Sequence, residues 1–426
     1  VITFTTLFLG FIAGARPVEL AVDAAVAAVE LRLDGRQVAA LDGPPWRAEV
    51  DFGDELLPHR LEALAFDQEG RLLERLERRI NLARADYEAA IALDDSRRGG
   101  RLRWAAVLDQ QPASIDLRFD GRPLAIDAGG GFRLPPYDPA VRHALEAVLV
   151  FPDGHRLATE LTFGGVFGER VTSALTAVPV TSPAGRPWPK EALAGCFLRD
   201  GRALPVFATS AGAGRLLVVR DERLGPVLKR LRRQLAGRSL AGPAAIADYA
   251  VAAISPRPLQ AHDRTFKLLE LGAVDPFPGL GALLLSGQPL TGRDARRRRR
   301  QKEQKLWDAL AVAGRDAAAS DRPRAVLLMT GSDPRDHSTF SLEQAARYLA
   351  SVHVPLFLWT PDDATLGRLP PLPRARPTSG ARGLEALVDA IPHALASQTI
   401  VWLEGEHLPA EIAVSPTAPP GLELVR

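Results

Sequence analysis

Two short stretches concentrate the residue types that do chemistry. Asp333-Pro334-Arg335-Asp336-His337-Ser338 places two carboxylates, an imidazole and a hydroxyl within six positions, and Asp221-Glu222-Arg223 adds two more carboxylates beside a guanidinium. Carboxylates and hydroxyls are the ligands a hard cation such as Mg²⁺ prefers, and Asp, His and Ser are the residue types of a hydrolase. The members of a triad, however, converge from separate segments. Adjacent residues on one loop therefore read as a solvated, turn-rich loop, and a hydrolase using the Asp333–Ser338 loop is the lesser alternative. No G-x-S-x-G, P-loop or H-E-x-x-H is present, so no catalytic residue is assigned and the chain is expected not to be an enzyme.

Other candidates have plainer readings. Cys196 is the sole cysteine, which excludes an intrachain disulfide and cysteine-cluster metal sites and makes it a core residue. His59 and His143 precede strands with no ligating neighbour in sequence, so they are not read as metal ligands. Arg293 and Arg296–Arg300, continued by Lys302 and Lys305, form a basic run without an interleaved aromatic to stack bases. With a net charge of only +2, no nucleic-acid partner is expected, and the run reads as a solvated, protease-sensitive loop.

The elements that carry the two acidic loops follow from periodicity. Leu216–Val219 is a short apolar strand followed by a helix over about 225–235. Tyr249–Ile254 and Phe266–Leu271 are expected strands, and Leu306, Leu310 and Ala313 mark one helical face. Ala325–Met329 is a buried strand; Ser341 with Gln344 forms a capping box for the next helix, with Leu342, Ala346 and Leu349 on its apolar face. Pro355–Trp359 completes a strand–helix–strand unit, hence a parallel sheet, and Thr399–Leu403 is expected as a last strand. Ligands of such sheets bind beyond the carboxyl ends of the strands, where Asp221-Glu222 and Asp333–Ser338 lie.

The chain ahead of this domain is duplicated. Leu31-Arg32-Leu33-Asp34-Gly35-Arg36 matches Leu117-Arg118-Phe119-Asp120-Gly121-Arg122, and His59-Arg60-Leu61-Glu62-Ala63 matches His143-Ala144-Leu145-Glu146-Ala147. Pro44-Pro45-Trp46 and Pro135-Pro136-Tyr137 lie between these blocks, and Asp67-Gln68-Glu69-Gly70 and Pro152-Asp153-Gly154 follow them. Alternating Val29, Leu31 and Leu33 and the Asp-Gly turns point to antiparallel β-sandwiches of immunoglobulin-like type. Ile2–Ala15 is an apolar run ending in small residues, shorter than the roughly 20 residues of a membrane span, and reads as the h-region and cleavage site of an export signal. A buried first strand is the other reading of this run.

This order of segments resembles the von Willebrand factor type A domain and, more broadly, the von Willebrand factor A-related proteins described from Acidobacteria. The resembling stretches include Leu33-Asp34-Gly35, Pro44-Pro45-Trp46, Leu306-Trp307-Asp308-Ala309-Leu310, Arg324–Met329, Arg347-Tyr348-Leu349 and Val354–Trp359. The resemblance implies exported proteins with β-sandwiches ahead of a type A domain, and in that domain a divalent cation held by D-x-S-x-S, a distant Thr and a further Asp. Here the first motif falls on Asp221-Glu222-Arg223-Leu224-Gly225, the Thr near Gln304 or Lys305, and the final Asp-Gly on Thr330-Gly331. Only Asp221 keeps a ligating group in place. Arg223 is expected to repel a metal and pair with Asp221, and the domain is expected to be degenerate and metal-free. A surrogate Mg²⁺ or Mn²⁺ site of Asp221, Asp333, Asp336 and His337 is the alternative.

The expected architecture is thus a signal-like segment (1–15), two all-β immunoglobulin-like sandwiches (16–83 and 84–183), a doubly wound α/β type A-like domain (184–405) and an extended tail (406–426). The expected function is non-enzymatic binding, adhesion or scaffolding by an exported protein, at the periplasm, the envelope or outside the cell. It has a protein partner, no cofactor and no membrane span in the mature chain.

Overall fold

The computed structural model describes residues 2–4, 6, 8, 10–22, 25–82, 87–93, 98–106, 111–138, 141, 143–150, 156–163, 175–182, 186–210, 214–235, 249–258, 266–273, 280–285, 303–320 and 322–425. The chain divides into two compact units, one of residues 1–83 with 174–426 and the other of residues 84–173. The basic run at 293–302 lies outside the described residues.

The first module is a sandwich of seven strands: β1 (Ile2–Phe4), β2 (Ala15–Val22), β3 (Ala28–Leu33), β4 (Arg36–Leu41), β5 (Arg47–Asp51), β6 (His59–Phe66) and β7 (Leu72–Ile80). One sheet runs β1-β2-β5 and the other β4-β3-β6-β7. Period-two patterning sets the faces: Val29 and Leu31 are buried, while Glu30 and Arg32 pair outside the core at 2.6 Å. Described residues of the apolar run at 2–15 pack into this module. Ile2–Phe4 pairs antiparallel with β2, and Phe8 and Ile12 fill the core around Val18, Leu31 and Leu61. Ile2, Phe4, Phe8 and Ile12 are thus interior side chains of a sandwich whose expected start was residue 16.

The second module repeats the first strand for strand. β8 (Tyr87–Leu93), β9 (Gly99–Ala106), β10 (Ser114–Phe119), β11 (Arg122–Pro123), β12 (Gly131–Arg133), β13 (His143–Val150) and β14 (Arg156–Phe163) form sheets β8-β9-β12 and β11-β10-β13-β14. The Asp-Gly and His blocks fall at equivalent places. The proline blocks do not: Pro44–Trp46 precedes β5, whereas Pro135–Tyr137 follows its counterpart β12. Pro152–Gly154 lies outside the described residues.

The chain then builds a small β layer. β15 (Leu175–Thr181) pairs with β25 (Gln398–Glu404), which also pairs with β18 (Val206–Ser210); β16 (Phe197–Arg199), β17 (Arg202–Ala203) and β26 (Ala413–Val414) form a second sheet. Residues 175–181, expected in the second sandwich, belong to this layer instead. The expected extended tail also packs here: Ile412 and Leu422 join Val178, Phe197 and Val401 in one core, and Arg60 holds Glu411 at 2.9 Å. Cys196 is buried in the same core, where burial raises its thiol pKa.

The α/β domain is a six-stranded sheet. Its strands are β19 (Gly214–Arg220), β20 (Tyr249–Pro258), β21 (Phe266–Ala273), β22 (Arg324–Met329), β23 (Leu356–Thr360) and β24 (Arg376–Ser379), in the order β21-β20-β19-β22-β23-β24. All neighbours are parallel except the β20–β21 pair. Thr399–Leu403 is a strand but belongs to the small layer, not to this sheet. Helices α1 (Gly225–Gln234), α2 (Leu280–Leu284) and α6 (Gly380–Ala396) cover one face through Leu216, Val218, Leu327 and Trp359. Helices α3 (Leu306–Ala318) and α4 (Leu342–Ser351) cover the other through Leu217, Val219, Val326 and Leu328, and the short α5 (Asp363–Leu366) follows β23. Odd and even strand residues thus serve opposite layers, as a sheet buried on both faces requires.

The first module shares the α3/α4 core. Phe11 and Leu56 lie in that cluster, and Phe11 packs edge-on against Tyr348 with ring centroids 4.8 Å apart. The buried Tyr348 hydroxyl donates to the Asn81 carbonyl at 2.7 Å. Burying an aromatic side chain of this size contributes roughly 1.5–3 kcal/mol, so this is a structural joint.

Candidate functional site

The carboxyl ends of β19 and β22, neighbours on opposite arms of the doubly wound order, bring the two acidic loops together. Asp221 follows β19 and is almost fully buried, at 1% exposure. Its Oδ1 accepts the Arg223 backbone N–H at 2.9 Å, closing the turn into α1, and the Gln304 side-chain amide at 3.0 Å. Gln304 is itself buried; its amide also donates to the Pro334 carbonyl, and its Oε1 accepts the Glu222 N–H at 3.4 Å. Burial raises the Asp221 pKa, against the hydrogen bonds from Arg223 and Gln304. Behind it Gly331 leaves room: a Cβ there would sit 3.4 Å from Asp221 Oδ2.

The residue facing Asp221 is therefore Gln304, not Lys305, whose ammonium lies 4.0 Å from Asp308. The Gln304 NH₂ group donates directly to the Asp221 carboxylate. A neutral amide supplies donors to a buried carboxylate without the dehydration a dication demands. Arg223 differs from expectation too. Its backbone bonds Asp221, but its guanidinium reaches Asp333, bonding the carbonyl and lying 3.5 Å from the carboxylate.

The 333–338 loop caps α3. Asp336 accepts the Leu306 N–H, and Ser338 Oγ accepts those of Trp307 at 2.9 Å and Asp308 at 3.1 Å. Ser338 in turn donates to Asp336 at 2.9 Å. Asp308 Oδ1 returns the favour by accepting the Thr339 and Phe340 N–H groups at 2.9 and 3.1 Å. Such caps satisfy donors that a helix end leaves open, each worth about 1 kcal/mol. His337 is exposed and contributes its backbone N–H to the Gln304 carbonyl at 2.8 Å. Asp221, Asp333, Asp336 and His337 share an edge of the sheet but each serves a different contact. Among the described residues no group of three or more His, Cys, Asp or Glu side chains is placed to hold a metal.

Nearby, Glu222 holds Arg257 at 2.6 Å, and burial lowers the pKa of Arg220 to about 10. Thr330 is buried behind Asp221, with its N–H bonded to the Trp359 carbonyl at 3.1 Å.

The repeated histidines have carboxylate partners that their sequence neighbourhood does not show. His59 Nδ1 lies 2.7 Å from Asp34, and His143 Nδ1 lies 2.7 Å from Asp120; each Asp belongs to the Asp-Gly turn of its own module. The other oxygen of each Asp accepts the backbone N–H after the histidine, from Arg60 at 2.8 Å and Ala144 at 2.9 Å. These pairs brace the hairpin turn. The co-occurrence of Asp-Gly and His in both copies was the available signal.

No protein-family model and no curated protein matches the chain. Among solved structures it is similar to fibronectin(III)-like modules of Clostridium thermocellum CbhA, at 14% identity over 19% of this chain and 93% of that one, with a TM-score of 0.17. It is also similar to the central fibronectin-III array of RIM-binding protein, at 10% identity over 46% of this chain and 81% of that one, with a TM-score of 0.22. A third likeness is to proximal thread matrix protein 1 from the mussel byssus, a structure with a zinc-occupied MIDAS motif, at 11% identity over 44% of this chain and 48% of that one, with a TM-score of 0.25. Fibronectin III-like modules thus stand among the structural neighbours, in keeping with tandem β-sandwiches. At these TM-scores the likenesses carry no argument about function.

Proposed function

We propose that the chain is a non-enzymatic binding, adhesion or scaffolding protein of a bacterial envelope or exterior, whose α/β domain is a von Willebrand factor type A-like domain working without a metal ion. The observation that carries the reading is the Gln304 amide on the buried Asp221 carboxylate, at 3.0 Å. With that carboxylate bonded from within, the strand-end face meets a protein partner through shape and the exposed charges of Arg223, Asp333 and Arg335. The metal-dependent alternative would have to strip Asp336 from α3 and Asp333 from Arg223. In the hydrolase alternative the Ser338 hydroxyl donates to Asp336 while its oxygen caps a helix, and among the described residues no hydrogen bond links the His337 ring to it.

No helix of the described residues is long and apolar enough to cross a membrane. Export rests on the resemblance, since Ile2, Phe4, Phe8 and Ile12 of the 2–15 run pack in the first sandwich. Capture of envelope proteins on the immobilised full chain tests the binding mode. Retention unchanged in EDTA supports it; retention that needs Mg²⁺ and is lost in Asp221→Ala overturns it. Fractionation tests location: chain outside the cytoplasm with residues 2–15 retained is expected, and chain confined to the cytosol overturns export.

A further inference from the structure

Three hairpins of the chain turn on the same tripeptide: Asp34-Gly35-Arg36, Asp120-Gly121-Arg122 and Asp200-Gly201-Arg202. Their backbones agree. The aspartates have φ of 51, 50 and 50°, and the glycines that follow have φ of 80, 76 and 76°. Both signs are those of the tight two-residue turn that Asp-Gly favours.

The side chains do not agree. Asp34 has both oxygens engaged, Oδ2 by His59 at 2.7 Å and Oδ1 by the Arg60 N–H at 2.8 Å. Asp120 repeats this with His143 at 2.7 Å and the Ala144 N–H at 2.9 Å. The backbone N–H of each also bonds the adjacent strand, at the Arg60 and Ala144 carbonyls. Asp200 has none of this. Its side chain is 92% exposed, against 42% for Asp34 and 41% for Asp120, and its nearest charge, Arg199 Nε, stands 3.8 Å away, beyond hydrogen-bond reach. Among the described residues no hydrogen bond reaches its carboxylate. The hairpin itself is short: β16 pairs with β17 at Leu198–Ala203 and Arg199–Arg202, and with β26 only at Phe197 and Leu198. A turn held this lightly opens locally at little cost.

An aspartate followed by glycine can react with its own backbone, because glycine puts no side chain in the way of its nitrogen. We propose that Asp200 is a site of spontaneous isoaspartate formation, and that the bonds on Asp34 and Asp120 suppress the same reaction there. The Gly201 nitrogen attacks Cγ of Asp200. Its proton and a carboxyl oxygen leave as water, closing a five-membered succinimide. Water then opens the ring. Addition at the Asp200 α-carbonyl leaves the chain running through Cγ, and addition at Cγ restores aspartate. Water is released and taken up again, so nothing else is consumed. The product adds a methylene to the backbone beside Arg199, whose guanidinium bonds Glu411 of the C-terminal segment at 3.2 Å. The reaction is independent of what the chain binds.

The test is to age the full chain for weeks at physiological pH and temperature, digest it after glutamate, and locate isoaspartate by electron-transfer fragmentation. Isoaspartate should accumulate at position 200. At 34 and 120 it should form roughly tenfold more slowly or less, the scale of freeing a carboxylate from charge-assisted hydrogen bonds. A parallel sample in guanidinium removes the fold while keeping each Asp-Gly-Arg sequence, and there the three rates should come together. Equal rates at the three turns of the folded chain overturn the proposal, as does an aspartate at 200 that stays intact. A ranking that persists in guanidinium also overturns it, since the difference would then lie in sequence and not in the bonds on the two protected aspartates.

Discussion

The two β-modules have one strand order and one hairpin brace, yet they use them differently. In the first, His59 engages Asp34 through Nδ1 while its buried Nε2 has no hydrogen-bond partner among the described residues. In the second, His143 Nδ1 faces the Asp120 carboxylate and Nε2 faces the Asp138 carbonyl at 2.9 Å. Two acceptors require two N–H donors, so this geometry selects the imidazolium. The first module is also joined to the α/β domain through Phe11, Leu56 and Tyr348, whereas the second is a compact unit by itself. Duplication kept what closes the hairpin and changed the ends, which decide what each copy packs against.

The largest expected effect breaks the joint. Phe11→Ala should cost about 3–5 kcal/mol, the range for emptying a buried aromatic site. The loss should appear in a single unfolding transition shared by the first module and the α/β domain, with the second module's transition unmoved in calorimetry. Separate melting of the first module would break the comparison. Gln304→Ala should lower the same shared transition by about 1–3 kcal/mol, because it strips donors from buried Asp221 and the Pro334 carbonyl. An unchanged midpoint would show that the amide is idle.

His143 gives a pH dependence to the second module. The hydrogen bond to the Asp120 carboxylate, then that to the Asp138 carbonyl, raises the His143 pKa. A raised folded-state value stabilises fully below the unfolded value of about 6.5 and is lost as pH rises through the folded value. Denaturant midpoints of the second module should fall across that window, and His143→Gln should flatten the fall. A parent midpoint that is flat or rises with pH contradicts the assignment. The smallest effect is expected from Arg347→Ala. Its pair with Glu55 at 2.7 Å spans the joint but is half-exposed, so under about 1 kcal/mol is expected. A larger loss would move the joint's energy from its apolar centre to its rim.

Much of this was legible in sequence because period and turn chemistry are local. The alternation at Val29–Leu33, the Asp-Gly turns and the Ser341–Gln344 capping box all appear as read. What failed were long-range matters. An apolar run such as 2–15 looks the same whether a signal or a core strand uses it. β24 and α6 escaped notice because Pro377 and Pro392 interrupt the local pattern. Thr399–Leu403 was read as a strand, but its sheet depends on residues about 190 or more positions away. At the site, position 304 was within one residue of the expected place. That its amide would bond Asp221, and that Asp336 and Ser338 would cap α3, depends on a loop meeting a helix across 30 residues of chain.

The claim at the centre is that Asp221 is satisfied from within by Gln304. Titration calorimetry of Mn²⁺ into the full chain at millimolar concentration tests it most directly, with Asp221→Ala as the control. The expected result is no saturable heat in either protein. Saturable binding in the parent that disappears in Asp221→Ala would show that a cation displaces the amide, and would contradict the account.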